Sequence, residues 1–194
     1  MMLLIVGLVI FLGLHLVPTS PEIRAGLRAR LGPGLYAATF SIVSLISLAV
    51  IVMGYHKMQL HPGKNPVLWQ APLWGRHVAL ALMLPAMILL VAAYVPSRIR
   101  TAVKHPMLTA IMIWALAHLF ANGEVASVLL FGSFLAYAIY DRISVEQRGA
   151  KGPLGNAQPS GIINDVIVVA VGVALYAAML VGGHQWLIGV SPLG

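Results

Sequence analysis

The chain contains no cysteine. That excludes disulfides, thiolate metal sites, iron–sulfur clusters and cysteine nucleophiles. Charge is almost as scarce. Asp, Glu, Lys and Arg make up 9% of the 194 residues, against roughly 25% in soluble domains. Only five residues are acidic, which leaves little material for the paired carboxylates of glycoside chemistry. A Gly-rich phosphate loop, HExxH, GxSxG and a DxDxDG calcium loop are all missing.

Apolar residues fill the space: they make up 60% of the chain, and the mean hydropathy is +0.92. The sequence therefore predicts an integral membrane protein. The fold class is all-α, a polytopic bundle of about six transmembrane helices in a single domain over residues 1–194. The formal charge of +7 has two readings, nucleic-acid binding or basic loops that set membrane orientation. The second fits a chain this apolar, so a lipid bilayer is the expected partner and nucleic acid is not. The N-terminus, MMLLIVGLVIFLGLHLVP, has no basic leader region and no clear small-residue cleavage site. It reads as a retained first span.

The expected spans cover residues 2–17, 35–55, 76–95, 106–120, 126–140 and 162–181. Residues 19–34 form a basic connection that reads as a short interfacial helix, with Ser20 as N-cap and Pro21 at its first position. Ser41, Ser44 and Ser47 recur at helical spacing and suit close packing against a neighbour. Pro85 interrupts the third span, where it removes a backbone hydrogen bond. Trp69 and Trp74 place the second loop along the headgroup zone. Residues 141–161 read as a flexible Gly- and Pro-rich loop, with Ser160-Gly161 opening the last span and Gly182-Gly183 ending it. Loops one, three and five carry Arg24, Arg28, Arg30, Arg98, Arg100, Lys104, Arg142, Arg148 and Lys151, nine of the twelve basic residues. They belong in the cytoplasm by the positive-inside rule, with both termini outside.

Seven histidines are the chemical content of so apolar a chain. His15 and His118 fall inside apolar helices. An imidazole in lipid usually has a partner or a task, and neutral imidazole is a haem ligand. The plainer reading is a hydrogen bond from each ring to a backbone carbonyl. His56, His61 and His77 lie near the second loop and read as solvated, His105 as a helix-start residue, and His184 as exposed in a short tail. Trp114, His118 and Asn122 share one helix face, which either lines a cavity or packs against a neighbouring helix. Glu124 reads as a solvated acid in the turn. Asp165, near the start of a membrane helix, is costly unless paired.

Certain short motifs carry a resemblance. They are Leu14-His15, Tyr55-His56, Gly75-Arg76-His77, Lys104-His105-Pro106 and Trp114-Ala115-Leu116-Ala117-His118. In these the chain resembles the NnrU family of membrane proteins, named for an association with nitric-oxide reductase and denitrification. That family is similar in turn to 15-cis-zeta-carotene isomerase. The resemblance implies haem b, with His15 and His118 as metal ligands and with His56, His77 and His105 among the cofactor-binding histidines. It also implies a hydrophobic small-molecule substrate and a multi-pass place in the bacterial inner membrane. Lys104 stands where the isomerase has Arg, and the isomerase's longer polar loop before that point is missing. Counting 1.5 Å per residue, His15 lies nearer the cytoplasmic edge than His118, which is about 20 Å from it, so a haem held by both would sit obliquely.

Three function classes stay open on these grounds. The first is a haem-dependent redox or cis–trans isomerase protein acting in nitric oxide metabolism or on carotenoids. The second is a non-enzymatic accessory that assists assembly of a nitric-oxide reductase-type complex, with a membrane protein as partner. The third is an isoprenylcysteine methyltransferase-like enzyme, a group that has an Arg-His-Pro at a membrane helix where this chain has Lys104-His105-Pro106. The stretch DRISVEQRGAKGPLGNAQPSG lacks that group's acidic and aromatic motifs.

Overall fold

Three local signals shape the first third of the chain: Pro18, Ser20-Pro21 and Gly32-Pro33. Helix α1, Met2–Leu16, tightens at Pro18 into a 3₁₀ turn, Val17–Thr19. Ser20, in an extended conformation, then starts helix α2, Pro21–Gln59, with Pro21 at its first position. The helix bends sharply at Gly32, whose φ of 76° and ψ of 157° are non-helical, and Pro33 restarts it. The basic half before the bend is helical, as expected for residues 19–34, and residues 33–59 are the apolar half.

This computed structural model describes residues 1–159 and 161–193, with no β-strand among them. It divides into two compact units, Met1–Pro66 and Val67–Gly194. In the first, α1 and α2 form an antiparallel hairpin. The Met1 amino group donates to Met58 Sδ at 2.8 Å, and the His15 ring lies 5.2 Å from that of Phe40. Small residues set the approach of the two helices. A Cβ on Gly54 would lie 2.5 Å from the backbone nitrogen of Leu4, which is itself fully buried. Ser47 is buried in the same seam, its hydroxyl donating to Val43 O at 2.7 Å. Ser41, by contrast, is exposed.

The second unit holds α3, Leu73–Ala92; α4, Arg98–Val103; α5, Pro106–Ala121; α6, Val125–Gln147; α7, Ile162–Ala178; and α8, His184–Ile188. α3 lies between α5 and α7, and α6 packs on α5. α3 is continuous through Pro85. Many of the buried side chains are alanines, Ala86, Ala92, Ala115 and Ala138 among them, which lets backbones approach where lipid removes any hydrophobic drive between helices. Polar bonds hold α7 to α3 and to the segment that follows it. Tyr176 Oη donates to Leu80 O at 3.0 Å, and Asn164 donates to Pro96 O at 2.9 Å. Asp165 accepts from the Arg98 backbone N–H at 2.7 Å and pairs with its guanidinium. The membrane acid therefore has its partner. Ser160 lies outside the described residues, and α7 begins at Ile162 after Gly161.

Among the described residues, five helical stretches are long and apolar enough to cross a membrane: Met2–Thr19, Pro21–Gln59, Leu73–Ala92, Val125–Gln147 and Ile162–Ile188. The fourth expected span, α5, has 16 residues. It rises about 24 Å, short of the roughly 30 Å hydrocarbon core. One end of the second unit carries Arg98, Arg100, Lys104, Arg142, Arg148 and Lys151, and the opposite end carries Arg76. Arg100 is buried there and donates to Ala157 O at 3.0 Å and Gly155 O at 2.9 Å, pinning the loop between α6 and α7.

Candidate functional site

A helical histidine can donate its Nδ1–H to the carbonyl four residues earlier. His118 does so to Trp114 O at 2.8 Å. A carbonyl only accepts, so this bond puts the proton on Nδ1 and leaves the Nε2 lone pair for a ligand. His15 makes the same bond to Phe11 O at 2.7 Å, His61 to Lys57 O at 2.8 Å and His77 to Leu73 O at 3.2 Å. The bond sets a tautomer. It does not by itself single out a site.

His118 differs in its surroundings. The Phe131 ring on α6 lies 4.4 Å from its ring and 24° from parallel. Trp114 sits 5.4 Å away and meets Phe131 and Phe134 edge-on at 4.9 and 5.5 Å. Phe131 and Phe134 are buried. Asn122 donates to His118 O at 2.8 Å, closing the ladder from Trp114 to Asn122 along one face of α5. That face packs on α6, the plainer of the two readings of the stripe.

The turn after α5 is built tightly. Leu68 N–H donates to Gly123 O at 2.8 Å, and Val67 bridges to Glu124. A Cβ at Gly123 would lie 1.9 Å from Trp69 O, so only glycine fits. Glu124 is not a merely solvated acid. It is the N-cap residue of α6, and its carboxylate accepts from Ser127 Oγ at 2.9 Å.

The histidine that the sequence reading passed over is His184. As expected, Gly182-Gly183 ends the last span: the backbone kinks at Gly182, whose φ of 173° and ψ of −18° are non-helical, and a separate short helix, α8, follows. His184 is half-buried, its ring centre 6.2 Å from that of His118 and 16° from parallel. Its Nδ1–H donates to Val190 O at 2.7 Å. The signal available was span parity: the last span ends on the side where α5 ends.

The other predicted residues lie apart from this pair or in the first unit. His15 and His56 belong to the first unit, on the last turns of α1 and α2. His15 is flanked by Phe11, ring centres 4.1 Å apart, and by Phe40. His77 is at the same end of the second unit as His118, with its side chain exposed. His105 caps α5 at the basic end, thirteen residues before His118 and about 20 Å along the helix. Burial, and then the Arg142 charge, hold its pKa below 6.5, with Glu146 and Asp141 opposing. Among the described residues no three His, Asp or Glu side chains gather as a metal-binding group.

Several apolar helices, packed through alanines and glycines and carrying basic residues at one end, define a multi-pass helical membrane protein. The NnrU protein family model matches residues 3–192, across both units, and the chain belongs to that family. No curated protein and no solved structure matches it.

Proposed function

We propose that this NnrU-family protein binds haem b in the bacterial inner membrane, with His118 as an axial ligand. His118 carries the reading, for two reasons. Its Nδ1 is committed to Trp114, which leaves Nε2, and its ring is held by Phe131 in an apolar, aromatic setting. The donor set fits the group. A porphyrin supplies four nitrogens and asks the protein for one or two axial ligands, so imidazoles suffice without the three or four side chains a bare metal ion needs. The resemblance to 15-cis-zeta-carotene isomerase also implies His15, in the first unit, as a haem-ligand candidate. Bound iron would supply redox or double-bond isomerisation chemistry to a hydrophobic substrate.

The chain's own contribution is placement. The Trp114 carbonyl fixes the tautomer and raises the basicity of Nε2. Phe131 and Trp114 limit ring rotation and keep water away. The basic end of the second unit fixes orientation, with Arg98, Arg100 and Lys104 in the cytoplasm.

The test is the absorption spectrum of the purified full chain after haem reconstitution, with pyridine haemochrome quantification. A stoichiometric Soret band that His118→Ala abolishes supports the reading. A folded, colourless protein that takes up no haem overturns it and favours the accessory role in assembling a reductase complex.

A further inference from the structure

Cationic side chains converge on one cavity at the basic end of the second unit. It has a volume of about 270 Å³ and lies between α4 and the loop that joins α6 to α7. Arg100, Thr101, Lys104 and His105 form one wall. Lys151 and Asn156 stand in the other, and no Asp or Glu is among the lining residues. Pockets for drug-sized ligands run to roughly 300–1,000 Å³, so this one suits a small polar group.

The charge there is not neutralised from within. The chain has five acids, and Asp141, Glu146 and Asp165 belong to this end. Asp165 pairs with Arg98, Asp141 with Arg148, and Glu146 with Arg142 at 2.6 Å. Glu146 is near enough to feel Lys104 and His105, but its bonded partner is Arg142. Among the described residues Arg100, Lys104 and Lys151 have no carboxylate within ion-pair distance. Arg100 is 9% exposed, and the carbonyls of Gly155 and Ala157 take two of its five N–H donors and supply no counter-charge. A buried cation without a counter-ion is costly. Lys151 donates to Asn156 Oδ1 within its own wall, again without meeting a negative charge.

The backbone also holds Lys104 at a cost. Its φ is 64° and its ψ is −53°, and Val103 O accepts from His105 N–H at 2.8 Å. That is a γ-turn of the rare, strained hand. Among the described residues no other non-glycine has a positive φ. Glycine would take this conformation freely. A lysine in its place points to a use for the ammonium group.

We infer that this cavity is a binding site for a phosphate group, held by Arg100, Lys104 and Lys151 and supplied by an anionic lipid headgroup or by free phosphate. Guanidinium and ammonium groups are the common partners of phosphate oxygens. Basic pockets between membrane helices on the cytoplasmic side take anionic headgroups. Basic loops that only set orientation need charge, not its convergence on a cavity. His105, in the wall, is about 20 Å along α5 from His118, so the two sites are separate.

The experiment melts the full chain in phosphatidylcholine nanodiscs. One arm adds phosphatidic acid to the discs, and the other adds inorganic phosphate against chloride at matched ionic strength. Wild type is expected to melt about 5–10 °C higher in at least one arm at about a hundredfold excess over Kd. A rise with phosphatidic acid alone supports the site with the headgroup as its source, and a rise with inorganic phosphate supports it with the free ion. Lys104→Gly relieves the γ-turn, so it is expected to fold at least as well as wild type and to lose most of the rise. Lys151→Gln should lose it too. Arg24→Gln with Arg28→Gln removes two exposed charges from the first unit and should keep it. No rise in either arm overturns the site. So does a rise that Lys104→Gly and Lys151→Gln both keep, or one that the Arg24 and Arg28 variant loses equally.

Discussion

Phe131 of α6 lies against the imidazole of His118 on α5, ring centres 4.4 Å apart and 24° from parallel, and is only 2% exposed. It also receives Trp114 edge-on at 4.9 Å. One side chain thus carries both the packing between the two helices and the setting of the histidine. Phe131→Ala is expected to cost about 3–5 kcal/mol, the usual range for a core aromatic cut to alanine. Thermal unfolding of the purified protein reads that cost, and under the haem proposal haem content per chain should fall with it. Phe131→Leu should keep more of both.

Two glycines of the first unit offer a paired test. Gly54 faces Leu4 so closely that a Cβ would meet backbone at 2.5 Å, whereas Gly13 has open space around the same position. Gly54→Ala is expected to destabilise by about 1–3 kcal/mol, because neither helix backbone can yield cheaply. Gly13→Ala should be neutral or stabilise by up to about 1 kcal/mol, since alanine is the better helix former. Melting temperatures in one detergent separate the two. Equal effects would refute the packing described for α1 and α2.

His105 makes stability sensitive to mild acid. Its folded pKa lies below the ordinary 6.5, first through burial and then through Arg142. Between the lowered value and 6.5 the unfolded chain binds more protons than the folded one, so stability rises with pH across that window and is lost on acidification. His105→Gln should flatten that part of the pH profile. Arg142→Gln should raise the His105 pKa, since it removes the positive charge and releases Glu146 from its 2.6 Å ion pair. Histidine C–H chemical shifts against pH measure the change.

Arg100 holds the loop between α6 and α7 from beneath, through Gly155 O and Ala157 O. Hydrogen bonds from a charged group are worth about 1.5–3 kcal/mol each. Arg100→Ala is therefore expected to loosen the loop and speed tryptic cleavage at Lys151, with His118 spectroscopy unchanged. Cleavage in inside-out vesicles but not in right-side-out ones would place this loop in the cytoplasm. The reverse would overturn the orientation.

Long apolar runs made the helices legible, because a lipid-facing helix must be apolar on most of its surface. Gly32-Pro33 and Ser20-Pro21 marked the bend and the restart of α2, since these residues constrain backbone angles locally. His118 was legible as a histidine deep in an apolar run. His184 was not: the two glycines do stop the last span, but nothing in their identity says where the chain turns after the kink at Gly182. Glu124 was misjudged because its role depends on a side-chain hydrogen bond from Ser127 three residues on, hidden in an otherwise apolar stretch. Asp165 was flagged as needing a partner, but only the fold could name Arg98, whose position depends on how α3 and α7 align.

The kink at Gly182 uncouples α8 from the register of α7. An α-helix advances about 100° per residue, and the non-helical Gly182 steps outside that progression, so the direction in which His184 leaves the chain is set by the break and not by α7. Gly182→Ala, which favours continued helix, would therefore part the two rings while leaving both histidines in the chain.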